Sequence, residues 1–515
     1  MNLFPASPAM RFFILLPALL LVACDQPAEV PAPVTVTPEQ DVAPEAEPTL
    51  SVVRVNSTRQ RWNPGQPWEK QPPSKRRSLS AVVMDDHVLT TAEMVADATL
   101  IELESVDGRR FAQGKVTAVD YEANLALVGL ADPEGDAAFF EGMVPLEIAE
   151  PTGLGATIEA IQVEENGTVL STRGSIQSVD VVANFLPGEY FLTYQVKASM
   201  QSAASSYSIP ALHEGKLAGL LTSYNSKDQI SDITGSEIIA RFMTDAADGD
   251  YNGFPSLGVA TTRTDDRGFR SFLKLPEDGG GIYVANVRPD SAAKTAGVEK
   301  GDVIVTIDGH EIDRMGYFEH EVYGRTYWSH LIRGAKGAGE SISLGILRDG
   351  ESLEIEAELT RRDRRNELVP AYTFGEAPNF LVKGGLVFQE LTRPLLRSFG
   401  DEWRSRAPLN LLDVLENPEK YEERHDRVVF LAGVIATPAT VGYEPLRNLV
   451  VTEVNGKPVR DMKSLVAAFD EVPSDGLHSI EFDEEKFKVY LDELVSTTVD
   501  GQLLQRGLSR LSRVE

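Results

Sequence analysis

Short runs rich in aliphatic residues and interrupted by polar ones dominate the chain after its first fifty positions. Residues 51–55, 80–84, 100–103 and 115–119 are examples. A spacing near two places apolar side chains on one face of a strand, and short spacing between runs is typical of antiparallel sheets. The pattern therefore predicts a mainly β fold that begins with two small antiparallel barrels, in a chain long enough for about three domains.

A hairpin pattern occurs twice further along. Residues 303–312 and 449–459 both place two apolar strands around a two-residue turn, Asp308-Gly309 in the first and Asn455-Gly456 in the second. A two-residue hairpin requires positive φ at its centre, which Asn, Asp and Gly adopt most readily. This repeated hairpin pattern predicts two related β-rich domains after the barrels.

The N-terminus carries an export signal. Residues 12–23 form an apolar run that is too short to span a bilayer but suits the core of a secretory signal peptide. The run ends at Leu21-Val22-Ala23-Cys24, which resembles a bacterial lipobox, so we expect Cys24, the single cysteine, to be lipidated. Translation starts at Met1 or at Met10, and the sequence leaves both open.

A proline-rich segment that would act as a tether follows the signal peptide. Residues 25–48 contain six prolines, and an extended chain of this composition reaches about 70 Å at roughly 3.1 Å per residue.

The chain is strongly acidic. Removing residues 1–23 deletes Arg11 and no acid, so the net charge changes from -29 to -30. Phosphate backbones and anionic lipids repel such a chain, which excludes nucleic acid as an expected partner and leaves the lipid to provide membrane attachment.

The first hairpin belongs to a longer motif. Residues 281–284, 289–298 and 301–304 come in an order that resembles a PDZ domain of the HtrA type. The resemblance implies a groove between the strand that begins near Ile282 and the helix of residues 292–296. Peptide-binding residues are then Gly281, Ile282, Tyr283 and Val284, with backbone N–H groups taking a terminal carboxylate.

The second hairpin lies in a more divergent region. Residues 368–370, 384–388, 391–394 and 441–444 resemble the second PDZ-like domain of plant-type Deg proteases. This domain lacks a comparable Gly-apolar loop, so we expect it to dock against its own chain or a neighbouring subunit.

Three earlier stretches resemble the frame of a trypsin-like protease of the Deg/HtrA family: residues 89–95, 124–127 and 198–220. The resemblance puts Glu93 where the family has its catalytic histidine and Asn124 where it has the aspartate that orients that histidine. The nucleophile loop has lost its glycines, and counting from either side puts Ser205 or Tyr207 at the nucleophile. A serine needs a hydrogen-bonded base, and an oxyanion hole needs the glycine-rich turn, so we expect no catalytic residue here.

Two interpretations of these residues stay open: a purely structural role, or a serine-protease mechanism with a base at a different position. Glu93 is interpreted as a solvated carboxylate at a helix start, and Asn124 and the serines as structural residues. Alternatively Ser205, Ser206 or Ser208 reacts with a relocated base, for which His87 and His213 are the candidates.

Other residue clusters have structural interpretations. His310, His320 and His330 recur every ten residues, a spacing that matches no compact ligand motif, so we expect no metal and no cofactor. Trp62 and Trp68 are expected to pack against the first barrel.

The resemblance implies the following organisation. A lipoprotein signal peptide (residues 1–23) and a tether (24–48) precede a trypsin-like double β-barrel (49–247), a PDZ domain (253–362) and a second PDZ-like domain (366–515). We expect a catalytically degenerate bacterial lipoprotein on the periplasmic side of the envelope, with Asp25 pointing to the inner membrane over the outer. Its expected role is a scaffold or regulator in envelope protein quality control that binds peptide C-termini or unfolded proteins. The alternatives are an active serine endopeptidase with an unconventional base, or a regulatory subunit in a homo- or hetero-oligomer with Deg/HtrA proteins.

Overall fold

The fold is known from a computed structural model that describes residues 51–200, 208–247, 249–362, 364–483 and 488–514. The signal peptide, the tether, Cys24, Ser205 and Ser206 lie outside the described residues. All the described residues belong to one unit, Ala46–Glu515. None of the helices in these ranges has the length and hydropathy of a bilayer-spanning segment.

A closed six-stranded barrel begins the described chain. Its elements are β1 (Val52–Arg59), β2 (Trp62–Asn63), β3 (Gln66–Lys70), β4 (Ser74–Met84), β5 (His87–Thr90), α1 (Ala92–Val95), β6 (Ala98–Ser105), β7 (Phe111–Asp120) and β8 (Leu125–Leu130). The barrel order is β1-β4-β5-β8-β7-β6, and β2 and β3 form a separate hairpin. Val53 and Val55 are fully buried in its interior, which is the inward face that the period of two predicts.

A second closed barrel follows. It contains β9 (Thr157–Val163), β10 (Val169–Ala183), β11 (Tyr190–Lys197), β12 (Ile209–His213), β13 (Lys216–Asn225), β14 (Ile230–Gly235) and the helix α2 (Ser236–Ala246). Its strand order is β10-β11-β14-β13-β12-β9. Phe191, Tyr194 and Phe242 are among its largest fully buried side chains. The two barrels confirm the predicted trypsin-like double β-barrel.

The first PDZ-like domain is built on an antiparallel sheet. Its elements are β15 (Pro255–Ser256), β16 (Val259–Thr262), α3 (Arg267–Phe272), β17 (Ile282–Val287), α4 (Ala292–Ala296), β18 (Val303–Ile307), β19 (His310–Glu311), β20 (Tyr317–His320), β21 (Gly324–Tyr327), α5 (His330–Arg333), β22 (Ser341–Arg348), β23 (Glu351–Glu358) and β24 (Thr360–Arg361). The main sheet has the order β16-β17-β18-β22-β23. The predicted turn is confirmed, because Asp308 and Gly309 have φ of 47° and 77°.

The second PDZ-like domain repeats this plan with more helix. It contains β25 (Phe380–Lys383), β26 (Leu386–Glu390), α6 (Arg393–Arg397), α7 (Trp403–Arg406), α8 (Leu409–Glu416), β27 (Val429–Val434), β28 (Leu449–Val454), β29 (Lys457–Pro458), α9 (Met462–Asp470), β30 (Leu477–Phe482), β31 (Val489–Asp492), α10 (Glu493–Gln505) and β32 (Ser512–Arg513). Its sheet order is β31-β30-β28-β27-β26-β25-β32. Asn455 and Gly456 have φ of 55° and 74°, so this turn is confirmed as well.

The hairpin β2–β3 docks the second PDZ-like domain onto the trypsin-like domain. The Trp68 ring lies 6.0 Å from Phe380, and the Arg513 guanidinium lies 4.1 Å above Trp62. Gln389 donates a hydrogen bond to the carbonyl of Pro64 at 3.1 Å. The two tryptophans therefore contact the C-terminal domain, and the expectation that they pack on the first barrel is wrong, because their hairpin stands outside the barrel. Docking against its own chain, one of the two predicted modes for this domain, is observed.

Arg333 joins both barrels to the first PDZ-like domain. Its Nη2 lies 2.5 Å from Glu122 Oε2 in the turn between β7 and β8, and its Nη1 lies 2.5 Å from Glu189 Oε2 before β11. Both carboxylates are buried, and Arg364 adds a second cation to Glu189. Burial raises the pKa of Glu122 although the Arg333 charge opposes that shift. The three lobes thus share one buried ionic junction.

We predict that Arg333→Met destabilises the protein by about 3–5 kcal/mol, because it leaves Glu122 and Glu189 buried with less compensating charge. The midpoint of thermal unfolding measures the change. Arg325→Met is the matched control, since the Arg325–Asp313 pair is exposed, and it should leave the midpoint nearly unchanged. Equal midpoints for the two variants would contradict the junction's role.

Candidate functional site

Glu93 stands at the start of α1 and is tied to its neighbours. One carboxylate oxygen lies 2.6 Å from Arg76 Nη1, and the same guanidinium nitrogen donates to the Glu93 carbonyl at 3.2 Å. The Glu93 side chain is 28% exposed, and that of Arg76 is 12% exposed. The residue is therefore a half-buried ion-pair partner, and the expectation of a solvated carboxylate is wrong because Arg76 extends from β4 beneath the helix start.

Asn124 lies next to Glu93 in space. Its Oδ1 accepts a hydrogen bond from the Glu93 N–H at 2.9 Å. The residue is buried and has φ of 58°, a left-handed conformation that Asn tolerates better than most residues do. The structure therefore brings together the two positions that the sequence singled out. The link joins a backbone N–H to an amide, so it transfers no proton between side chains.

Ser208 is the one member of the serine cluster within the described residues. It is 1% exposed, its carbonyl accepts from Leu79 N–H at 3.2 Å, and its hydroxyl donates to the Leu79 carbonyl at 3.4 Å. Ser208 thus lies in the junction between β4 and the start of β12, and its buried hydroxyl is poorly placed to meet a substrate.

The two candidate bases hydrogen-bond elsewhere. His87 Nδ1 lies 2.5 Å from Asp86 Oδ1 at a hairpin tip, and His213 Nδ1 lies 2.9 Å from the Thr157 carbonyl. His213 is five residues along the strand from Ser208, which is about 16 Å at roughly 3.3 Å per residue. His87 pairs with Met84, which lies five residues along β4 from Leu79, the residue that contacts Ser208. His87 is therefore also about 16 Å from Ser208 along the sheet. Neither ring approaches Ser208.

The first PDZ-like domain does not form the expected groove at β17. Tyr283 pairs with Thr262 of β16 on one side and with Val303 of β18 on the other, so no edge is open there. Ile282 and Val284 are core residues with exposed fractions of 1% and 0%. The predicted placement is wrong because β16, whose pairing the sequence pattern did not reveal, covers this strand.

The remaining predicted positions of that loop also have structural partners. The Gly281 N–H donates to the Ile312 carbonyl at 2.7 Å, and the Gly281 carbonyl accepts from Thr264 Oγ1 at 2.6 Å. The Tyr283 ring packs edge-on against Phe269 at 5.1 Å. Gly281 therefore belongs to a closed turn.

The open edge of this sheet belongs to β16. A tight turn leads into the strand, because Gly258 has φ of 79° and a Cβ there would lie 2.2 Å from Ser291 Cβ. Only glycine fits such a position. Leu257 is buried beside it, and its carbonyl accepts from Ala293 N–H at 3.0 Å. A glycine between Leu257 and Val259, just before a strand, was the sequence signal that would have found this edge.

Comparisons with known proteins agree with this architecture. Models of the PDZ domain match residues 255–359 and 369–507. Protease Do-like 2, chloroplastic, of Arabidopsis thaliana is 26% identical over 429 residues, which cover 82% of this chain and 68% of that protein. Protease Do-like 4, mitochondrial, of the same plant is 25% identical over 427 residues, which cover 82% of this chain and 77% of that protein.

Bacterial relatives match a shorter part. The periplasmic serine endoprotease DegP of Salmonella typhimurium is 25% identical over 295 residues, which cover 54% of this chain and 56% of that protein. This chain is a relative of the Deg/HtrA proteases. Among solved structures, the HtrA-type protease AlgW with a decapeptide aligns with a TM-score of 0.45 and 20% identity, and covers 61% of this chain and 96% of that one.

The Deg/HtrA relative therefore carries a trypsin-like double barrel and two PDZ domains. Within it, Glu93 and Asn124 occupy one small polar site in the first barrel. The PDZ edge at β16 is a second and separate candidate site.

Proposed function

We propose that this Deg/HtrA relative binds peptide tails or unfolded protein chains through its PDZ domains and does not cleave them. The observation that carries the proposal is the Glu93–Arg76 ion pair, which stands where the family resemblance expects a free imidazole base. A carboxylate has an ordinary pKa of about 4.3, against about 6.5 for imidazole, so it is a poor acceptor for a serine proton near neutral pH.

The neighbouring amide supports the same proposal. Asn124 accepts from a backbone N–H and has no ionisable group with which to stabilise a protonated base. Base and orienter act as a unit in serine proteases, so the loss of one removes most of the rate. The pair therefore serves to anchor the start of α1 to the turn before β8.

We predict that the purified full-length protein neither hydrolyses unfolded casein nor reacts with a fluorophosphonate probe. Glu93→His alone should not create activity, because Asn124 and the altered nucleophile loop remain. Casein turnover that is lost in Ser205→Ala, Ser206→Ala or Ser208→Ala, but kept in the exposed control Ser171→Ala, would refute the proposal in favour of an endopeptidase with an unconventional base.

The edge of β16 is the proposed peptide site. It is the free end of the main sheet in the described residues, and an extended peptide added there extends the sheet by main-chain hydrogen bonds. Val259 and Thr261 are half-buried, whereas Ala260 and Thr262 are exposed, so alternate side chains of the strand border the domain core. Gly258 has φ of 79°, and its N–H, which donates to Ser256 Oγ at 3.2 Å, is the backbone donor that a terminal carboxylate would take over at this turn.

We predict that peptides with apolar C-termini bind with an affinity on the order of micromolar, because ordering the peptide offsets part of the contact energy. Calorimetry on the full-length protein should show the amidated peptide binding about tenfold more weakly or worse, since a hydrogen bond to a charged group is worth about 1.5–3 kcal/mol. Val259→Lys should abolish binding, and Ala260→Lys, on the other face of β16, is the matched control. Binding that is indifferent to amidation and to Val259→Lys would place the working site elsewhere.

We also propose that the protein is lipid-anchored in a bacterial envelope and faces the periplasm. The support is the lipobox-like sequence that ends at Cys24, followed by the tether of residues 25–48. The proposal is independent of the peptide site.

We predict that Cys24→Ser blocks acylation and leaves uncleaved precursor, while Asp25→Ser, which keeps the lipobox, is acylated as in the wild type. Mass spectrometry of the N-terminal peptide distinguishes these states. An unmodified Cys24 in the mature wild-type protein would defeat the anchor.

A further inference from the structure

Two histidines and a glutamate from three separate segments converge where the first PDZ domain meets the second barrel. Glu237 is in the first turn of α2, His320 ends β20, and His330 begins α5. One ligand atom from each lies within 4.8 Å of the other two. The third histidine of the ten-residue series, His310, is exposed and does not join the group.

His330 is the most constrained member of the cluster. Its side chain is 4% exposed, and its Nε2 lies 2.9 Å from Glu237 Oε2. Its Nδ1 is buried and has no hydrogen-bond partner among the residues that the structure describes. An imidazole lone pair repels a carboxylate oxygen at this distance, so Nε2 either carries a hydrogen that it donates to Oε2 or shares a metal ion with it.

His320 is held by stacking and by its backbone. Its ring stacks on Tyr323 with 4.5 Å between centroids, and its Nδ1 accepts from the N–H groups of Val322 and Tyr323 at 3.2 and 3.4 Å. These bonds place the proton of the neutral ring on Nε2. Metal binding through Nε2 moves that proton to Nδ1, so the loss of two long hydrogen bonds is the local cost of binding.

A chain of hydroxyl groups orients the carboxylate. The Tyr323 hydroxyl lies 3.2 Å from the Tyr194 hydroxyl, which in turn lies 3.3 Å from Ser236 Oγ, and burial together with the nearby Tyr194 and Glu237 raises the pKa of Tyr323. Such partners around a ligand fix its orientation, and their loss typically weakens metal binding by about 10–100-fold. The tyrosines connect the cluster to the buried interior of the second barrel.

The donor set selects a class of ion. Two imidazoles and one carboxylate suit Zn²⁺ and similar divalent transition metals, whereas Mg²⁺ and Ca²⁺ prefer oxygen ligands alone. The three ligands carry one negative charge together, and three protein ligands leave a fourth tetrahedral position for water.

We propose that Glu237, His320 and His330 bind one divalent transition-metal ion, best matched by Zn²⁺. The ion ties the hairpin β20–β21 and helix α5 of the PDZ domain to helix α2 of the barrel. Such a site departs from the expectation drawn from the histidine spacing, because Glu237 is far from both histidines in sequence. It is independent of peptide binding and of proteolysis.

The test uses the full-length protein, stripped with a chelator and dialysed against Zn²⁺ or Co²⁺. We expect one ion per chain and the visible d–d bands of tetrahedral Co²⁺. Glu237→Gln and His320→Asn should each weaken Zn²⁺ binding by about tenfold or more. His310→Ala, which removes an exposed histidine of the same domain, should bind as the wild type does.

Circular dichroism establishes that each variant is folded. Glu237→Gln carries the test if His320→Asn does not fold, since the amide keeps the size of the carboxylate and its ability to accept from Tyr323. Substoichiometric Zn²⁺ in the wild type, or equal affinity in wild type and Glu237→Gln, would overturn the proposal and leave a hydrogen bond from His330 Nε2 to Glu237 as the link between the two residues.

Discussion

The arrangement of the two barrels and the first PDZ-like domain depends on the half-buried guanidinium of Arg333. Domains within a chain usually meet through modest polar interfaces, and relative motion is the default. Here the Arg333 guanidinium, which extends from α5, forms ion pairs with Glu122 of the first barrel and Glu189 of the second. It also lies 4.6 Å above the Phe191 ring. Removing two carboxylates from water is costly unless the pairing is close, so each lobe restricts where the other two can sit.

Other junctions build on that restriction. The hairpin β20–β21 reaches the second barrel, where the Tyr323 hydroxyl lies 3.2 Å from that of Tyr194 and the histidine cluster meets α2. The hairpin β2–β3 holds the second PDZ domain through Trp68, Phe380 and Arg513. The last strand of the chain, β32, thus contacts a segment more than four hundred residues earlier. Both PDZ domains are therefore held against the barrels, and the edge of β16 is presented from a fixed position.

The polar site in the first barrel has a structural explanation of its own. Arg76 and Asn124 satisfy the charge and the N–H of Glu93, so the helix start is anchored by groups that need no substrate. A protease site keeps a base available and therefore leaves polar groups incompletely paired until substrate arrives. In this chain Glu93 and Arg76 are already paired in the resting fold, which is the arrangement that the proposed binding function requires.

Local sequence pattern was sufficient for features that depend on a few neighbouring residues. The period of two in β1 predicted the buried Val53 and Val55, and the dipeptides Asp308-Gly309 and Asn455-Gly456 predicted turns whose φ values are positive. The family resemblance found Glu93 and Asn124 because each lies in a contiguous motif.

The prediction placed the open edge of the PDZ sheet on the wrong strand. Strand pairing joins β16 to β17 across about twenty residues, and the pattern of either strand alone does not say which one is covered. The partners of Glu93, Trp68 and His330 were also missed. Arg76, Phe380 and Glu237 meet them only after the barrels close and the domains dock, because such contacts are set by packing between distant segments and leave no periodic signal in the chain.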